Sequence, residues 1–259
     1  MPGALHTRSG RPVAVFAHRG VHQREPENTL AAFAEALAAG VDGVEFDVRQ
    51  TADGQLVCLH DPYTRRLLGR SGRVRRLTLG ELLEHQVRHP TRKKRRPLAT
   101  LDEALSLLSD SVELVLDLKQ ESVRDSSLEK DTVAALRRHG LCESVVISSF
   151  NPWVLKRVRQ LAPEFRTALI VGTRLGLSLY QPATCDTLHV KCALLSRPWF
   201  QARTQTSRIL VWTVDHPSDL PDPIPDFVRG IITNQPRLWL GARGRSRALG
   251  RLARSRAPE

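Results

Sequence analysis

Apolar residues in this chain recur with two different periods. Short runs at 13–17, 44–48, 56–60, 112–119, 144–149, 167–171, 186–190, 209–214 and 230–233 are rich in Val, Ile and Leu and read as strands. Between most of them lie stretches of helical character, such as 128–139 and 152–161. In P-E-N-T-L-A-A-F-A-E-A-L-A-A-G, Asn28 is the expected N-cap, the Ala, Leu and Glu residues favour helix, and Gly40 is the expected stop. Thr100 and Glu103 have the spacing of a capping box. Asp53-Gly54 is a turn signal, and the link from 48 to 56 is too short for a parallel crossover. Residues 56–60 should therefore return as a hairpin partner of 44–48, with a separate parallel strand as the other possibility. A turn centred between Ala52 and Asp53 would set His60 opposite Glu45.

Strands alternating with helices belong to the α/β class and imply a parallel sheet covered on both faces. Nine strand candidates are eight parallel strands plus one hairpin partner, which predicts a closed (β/α)8 TIM barrel spanning 1–240. An open doubly wound sheet is the alternative, but no G-x-G-x-x-G follows the first strand. Residues 62–98 form a basic, poorly periodic excursion after the third strand segment, with one short helix expected over 78–85. The tail 241–259, G-A-R-G-R-S-R-A-L-G-R-L-A-R-S-R-A-P-E, is expected to be disordered or a frayed basic helix.

Polar residues break the apolar runs where folding alone would place Val or Leu. In V-E-F-D-V, Val44, Phe46 and Val48 share one face while Glu45 and Asp47 share the other. With both faces covered, two carboxylates are buried side by side, which is costly unless a cation neutralises them. V-E-L-V-L-D-L-K repeats the pattern and adds Asp117, with Lys119 beside it. His18, Asp47, His60, Lys119, Phe150, Trp212 and Thr233 fall at or near the C-terminal strand ends, where a TIM barrel carries its active site.

The net charge of +12 suggests nucleic acid until its distribution is considered. Residues 62–97 hold twelve Lys or Arg against Glu81 and Glu84, and the tail from Gly241 holds six Arg against Glu259, so the rest of the chain is slightly acidic. With only 5% aromatic residues, no basic face with stacking platforms is expected, and nucleic acid is not an expected partner. The excursion instead reads as a solvated loop, or as a surface that steers anionic substrates or touches an anionic membrane. No apolar run reaches the ~20 residues of a membrane helix, and the first twelve residues lack the apolar core of a secretory signal, so a cytoplasmic location is expected. Cys58, Cys142, Cys185 and Cys192 show no C-x-x-C pairing and read as core thiols.

The ordered set A-H-R-G (17–20), P-E-N-T (26–29), V-E-F-D-V (44–48), T-A-D-G (51–54), L-H-D (59–61), L-D-L-K (116–119), S-S-F-N-P (148–152), V-W-T-V (211–214) and I-I-T-N-Q-P (231–236) resembles the glycerophosphodiester phosphodiesterases, metal-dependent TIM barrels. Each piece is weak alone; their order across nearly the whole chain is specific. The resemblance implies cleavage of glycerophosphodiesters to glycerol 3-phosphate and an alcohol, with attack by the substrate's own glycerol 2-hydroxyl and opening of a cyclic phosphate by water. By motif match it implies His18 and His60 as the acid/base pair, and Glu45, Asp47 and Asp117 as ligands of Mg2+ or Ca2+. Arg19 and Lys119 would contact the phosphate, with Glu27 and Asn28 in support; Phe150 and Trp212 read as partly core and partly pocket wall. All-oxygen ligands suit a hard ion better than zinc. The family usually has glutamate where this chain has Asp117, one methylene shorter, which bears on metal affinity. Two other readings are kept: a lysophospholipase D using an apolar groove near Trp199, Phe200 and Trp212, and a non-catalytic binder of phosphorylated ligands. His22, His85, His89, His139, His189 and His216 lack motif context and are taken as surface or core residues.

Overall fold

The computed structural model describes residues 5–109, 111–120, 125–180, 185–200 and 209–240. Eleven strands are present among them: β1 (Ala14–His18), β2 (Gly43–Gln50), β3 (Leu56–Cys58), β4 (Val87–Arg88), β5 (Arg95–Arg96), β6 (Glu113–Leu118), β7 (Val145–Ser149), β8 (Arg166–Val171), β9 (Thr187–Lys191), β10 (Ile209–Trp212) and β11 (Val228–Thr233). The helices are α1 (Leu30–Ala39), α2 (Arg65–Leu68), α3 (Leu79–Leu83), α4 (Leu101–Leu108), α5 (Ser127–Arg138), α6 (Pro152–Leu161) and α7 (Arg174–Ser178), together with three single turns of tighter helix. Eight parallel strands run β1-β2-β6-β7-β8-β9-β10-β11, and β11 pairs back onto β1 to close the barrel. The predicted TIM barrel is therefore the fold, and the open doubly wound sheet is not.

Alternation along each strand separates two cores. One set of side chains, with Val44, Phe46, Val48, Leu114 and Leu116 among them, packs outward against helices such as α1 and α4. The inward set, Phe16, Val115, Val146, Ala168, Leu210 and Ile232, fills the barrel. Phe16 is accommodated because Gly43 on the neighbouring strand has no Cβ, which would lie 2.2 Å from the ring. Toward the N-terminal strand ends, Glu113 pairs with Arg166 and Arg229. The inward positions at the opposite ends are the ones left for chemistry.

β3 is the antiparallel partner of β2, as the short turn demands, but its register differs by one residue from expectation. Val48 opposes Cys58 and Gln50 opposes Leu56, so the turn centres on Asp53 and His60 is not opposite Glu45. Asp53 fixes this arrangement by accepting from Thr51 Oγ1 (2.5 Å) and from the backbone N–H of Leu79 (3.0 Å). A second correction concerns α1: its N-cap is Thr29, whose hydroxyl accepts from the Ala32 N–H, whereas Asn28 is committed to the site. Gly40 closes α1 in the left-handed conformation, as anticipated.

The basic excursion is more structured than its weak periodicity suggests. It holds α2, α3 and the β4–β5 hairpin around a small core of Leu67, Leu68, Val74, Leu82, Val87 and Leu98, packed on Val57 and Leu59. None of the four cysteines forms a disulfide; Cys58 and Cys185 are buried, while Cys142 and Cys192 are only half-buried. The 241–259 tail lies outside the described residues. Among the described residues, no helix is long and apolar enough to cross a membrane.

Candidate active site

At the C-terminal end of the barrel, inward side chains and loop residues line a cavity of about 160 Å3. His18, Arg19, Glu45, Asp47, His60, Asp117, Lys119, Phe150 and Trp212 all line it, so nine of the eleven residues singled out from sequence surround one space. Glu27 and Asn28 stand behind it. Asn28 Nδ2 donates to Asp47 Oδ2 (2.8 Å), and Glu27 accepts from Arg19 Nη1 (2.8 Å).

Backbone geometry assembles the acidic group. β2 and β6 are parallel neighbours with Asp47 directly beside Asp117, and Glu45 is two residues earlier on the same face. One oxygen from each of the three carboxylates lies within 4.8 Å of the others. The shorter side chain of Asp117 therefore still reaches the cluster. All three are buried.

Two cations partly neutralise this cluster. Lys119 Nζ is 3.0 Å from Asp47 Oδ1 and also bonds Asp117 Oδ2. Arg19 Nε is 3.1 Å from Asp47 Oδ2, an ion pair without hydrogen-bond alignment. Asp47 is thus served twice: burial would raise its carboxyl, but Lys119, Arg19 and His60 hold it far below the usual range. Among the described residues, Glu45 Oε2 and Asp117 Oδ1 are buried and meet no hydrogen-bond partner. Burial, reinforced by Asp47 and Asp117, pushes the Glu45 carboxyl well above its ordinary value, and burial lifts Asp117 to about 6. Two orphaned carboxylate oxygens in an all-oxygen group fit a hard divalent cation.

The histidines are each held by Nδ1. His18 Nδ1 is 2.7 Å from Asn234 Oδ1, with Nε2 3.8 Å from Glu45 Oε2. His60 Nδ1 is 2.7 Å from Asp61 Oδ1. Burial, helped by the Arg19 charge, brings His18 down to about 4; burial likewise lowers His60 against the pull of Asp47 and Asp61. Arg19 and Asn28 have left-handed backbones, φ 56° and 55°, unusual for Arg and cheaper for Asn. The fold holds both: the Arg19 N–H donates to the Glu45 carbonyl and the Asn28 N–H to the Arg19 carbonyl. Next to Arg19, Gly20 (φ 79°) lies so close to Ala32 that a Cβ would clash with the α1 backbone.

Several supporting residues escaped the sequence reading. Arg49 donates from Nε (2.9 Å) and Nη2 (2.7 Å) to the His60 carbonyl, and from Nη1 to the Lys119 carbonyl (3.4 Å), tying the two loops to β2. Its place in the Glu45, Asp47, Arg49 alternation was the available signal. Arg66 bridges Glu27 and Asp61, so the excursion contributes directly to the scaffold. His189, without motif context, lines the cavity, its Nε2 meeting no partner among the described residues, and His22 shares Asn234 with His18. Phe200 is fully buried, so it offers nothing to the apolar groove imagined near Trp199 and Trp212. Phe150 and Trp212 instead meet edge to face, 5.7 Å between centroids, as one wall of the pocket.

A parallel barrel with clustered acids, two cations and two imidazoles at its C-terminal mouth defines a (β/α)8 enzyme built to handle phosphoryl groups. The chain belongs to the glycerophosphoryl diester phosphodiesterase family, whose profile matches residues 18–238. It is 31% identical to a glycerophosphodiester phosphodiesterase of Caldanaerobacter subterraneus over 237 residues, covering 86% of this chain and 94% of that one. Among solved structures, a phosphodiesterase of Oleispira antarctica in complex with the product sn-glycerol-3-phosphate superposes with a TM-score of 0.76 at 24% identity. That match covers 92% of this chain and 96% of the other. A glycerophosphodiester phosphodiesterase of Thermotoga maritima gives 0.72 at 24% identity, over 88% and 97% of the two chains.

Proposed function

We propose that the protein hydrolyses glycerophosphodiesters to glycerol 3-phosphate and an alcohol, using His18 and His60 as acid/base pair and a divalent cation, Mg2+ or Ca2+, held by Glu45, Asp47 and Asp117. The observation that carries this reading is the pair of orphaned oxygens, Glu45 Oε2 and Asp117 Oδ1, in a cavity that two Nδ1-anchored histidines also line. A binding protein has no use for two such imidazoles. When bound, the cation supplies positive charge against the non-bridging phosphate oxygens.

The chain's own residues supply the rest. Arg19 and Lys119, held against the acids on the cavity wall, add charge where a phosphodiester must be made electrophilic. One imidazole takes the proton of the attacking hydroxyl as its oxygen bonds phosphorus. The other protonates the departing alkoxide as its P–O bond breaks. The glycerol 2-hydroxyl is the attacking group in this reading, and water then opens the cyclic phosphate. Burial disfavours the protonated form of both rings, which suits the ring that takes the first proton; the ring that donates must carry its proton before the P–O bond breaks.

The test is an assay of chelator-treated protein on glycerophosphocholine and glycerophosphoethanolamine with Mg2+ or Ca2+ restored, alongside His18→Ala and His60→Ala. Turnover should require the ion and fall by at least 100-fold in each variant with the fold intact. Undiminished turnover after chelation, or in either variant, overturns the corresponding assignment. Lysophosphatidylcholine in the same assay separates this reading from a lysophospholipase D.

A further inference from the structure

We infer that Asn234, oriented by Asp215, is a positioning residue that fixes the His18 imidazole in the tautomer with its proton on Nδ1. This rests on the reading of His18 as one of the acid/base pair.

Asp215 lies on the segment that leaves β10. Its Oδ1 accepts from the Asn234 backbone N–H (2.7 Å) and from Thr233 Oγ1 (3.1 Å), and its Oδ2 accepts from Asn234 Nδ2 (2.7 Å). A carboxylate can only accept, so the NH2 end of the Asn234 amide must face Asp215. The opposite end, Oδ1, must then face the barrel mouth, where it lies 2.7 Å from His18 Nδ1 and 2.9 Å from His22 Nε2.

An amide oxygen likewise only accepts. Both ring nitrogens that touch it must therefore carry hydrogen. For neutral His18 that leaves Nε2 as a bare lone pair on the side that faces Glu45 and the cavity. A flipped amide would set its NH2 against His18 and force the other tautomer, but it would also aim an amide oxygen at a carboxylate oxygen. Asp215 forbids that flip. Gln23 Nε2 adds a further constraint, donating to the Asn234 carbonyl (2.6 Å) and to Gln235 Oε1 (2.8 Å). Asn234 is the first residue beyond β11, which pairs directly with β1, so the orienting amide and the imidazole sit on neighbouring strand ends.

The experiment reads the tautomer directly. Full-length protein with 15N-labelled histidine is examined at pH 8, where Nδ1–H and Nε2–H imidazoles give distinct nitrogen shifts and couplings; His18→Gln assigns the His18 signals by their loss. The expected wild-type pattern is Nδ1–H, and in Asn234→Ala that preference should disappear while thermal unfolding stays cooperative. Turnover of glycerophosphocholine in the same variant should fall about 10- to 100-fold in kcat with KM changed less than about threefold.

A wild-type Nε2–H signal overturns the inference, and this measurement needs no variant to fold. An Nδ1–H pattern that survives Asn234→Ala overturns Asn234 as its cause. A tautomer that shifts in Asn234→Ala with turnover unchanged overturns Asn234 as a positioning residue for turnover, whereas the reading of His18 itself stands or falls with His18→Ala.

Discussion

Two buried titratable residues in the barrel mouth pull stability in opposite directions with pH. His189 has its Nε2 unpartnered, and burial, with Arg229 nearby, holds it down to about 3 against an ordinary 6.5. Between those values the unfolded chain takes up a proton that the folded one refuses. Stability from this residue is thus full above pH 6.5 and is lost, at about 1.4 kcal/mol per pH unit, as the pH falls. His189→Leu should remove that slope, which chemical denaturation at pH 7 and pH 5 would measure; an unchanged slope would place the proton elsewhere. Glu45 has the opposite sign. Its folded value is raised above 4.5, so without metal its contribution is full at low pH and declines as the pH rises. Glu45→Gln should therefore raise the thermal midpoint of chelated protein at pH 8 and abolish the gain that added Mg2+ or Ca2+ gives wild type. Asp117→Asn should weaken the ion's effect on the midpoint more than it harms folding. A metal-induced shift that survives both substitutions would remove these carboxylates as ligands. Residue identity was readable in the sequence wherever polarity clashed with an apolar run, as at Glu45, Asp47 and Asp117. It was not readable at His189 or Asn234, whose surroundings depend on which partner the closed barrel brings near, and Arg49 offered only its place in the strand alternation.

The elements repeat that division. Regular alternation and caps carry their own signals, so α6 begins and ends where Pro152 and Leu161 were expected, and Thr100 caps α4 with Glu103 returning the bond. Thr100→Ala should cost about 1 kcal/mol in urea unfolding, and a loss near zero would mean that packing alone fixes the helix start. Hairpin register is harder, because shifting the turn centre by half a residue changes every pairing along the ladder. The register at β3 lies one residue from the local turn pattern because Asp53 is fixed by Thr51 and by Leu79, a residue 26 positions away. The strand ladder also ends at Cys58, so His60 reaches the cavity from a loop. What holds that loop is the Arg49 fork. Arg49→Lys keeps the charge but cannot place two donors on one carbonyl. It should lower kcat about 10- to 100-fold with little change in the thermal midpoint of the metal-bound protein. Full activity in that variant would show that the His60 carbonyl needs no clamp.

For the molecule as a whole, strand count and order were enough to give the barrel, because eight parallel strands with covered faces and one short hairpin have few other ways to close. Charge was legible in amount but not in use. The excursion's cations divide into those that build and those that face outward. Arg66 braces Glu27 and Asp61, and Lys94 and Arg96 clasp the buried Glu25. Arg92 reaches the Gln23 carbonyl, and Gln23 in turn holds the Asn234 carbonyl, so the β4–β5 region packs beside the His18 side of the mouth. Arg92, Lys93 and Arg95 are exposed there. Positive charge at the rim of a phosphodiester pocket should raise the encounter rate with anionic substrate, an effect that salt screens over a Debye length of about 8–10 Å. Accordingly, kcat/KM for an anionic glycerophosphodiester such as glycerophosphoglycerol should fall as ionic strength rises from 20 to about 300 mM, while kcat holds steady. Replacing Arg92, Lys93 and Arg95 together by Ser should flatten that dependence without lowering the thermal midpoint by more than a degree or two, because these three are not the ones that clasp Glu25. The same substitution should reduce co-sedimentation with vesicles rich in anionic lipid. An equal salt dependence in the triple variant would assign the steering field to Arg19 and Lys119 inside the pocket, leaving the outward charges without a part in substrate capture.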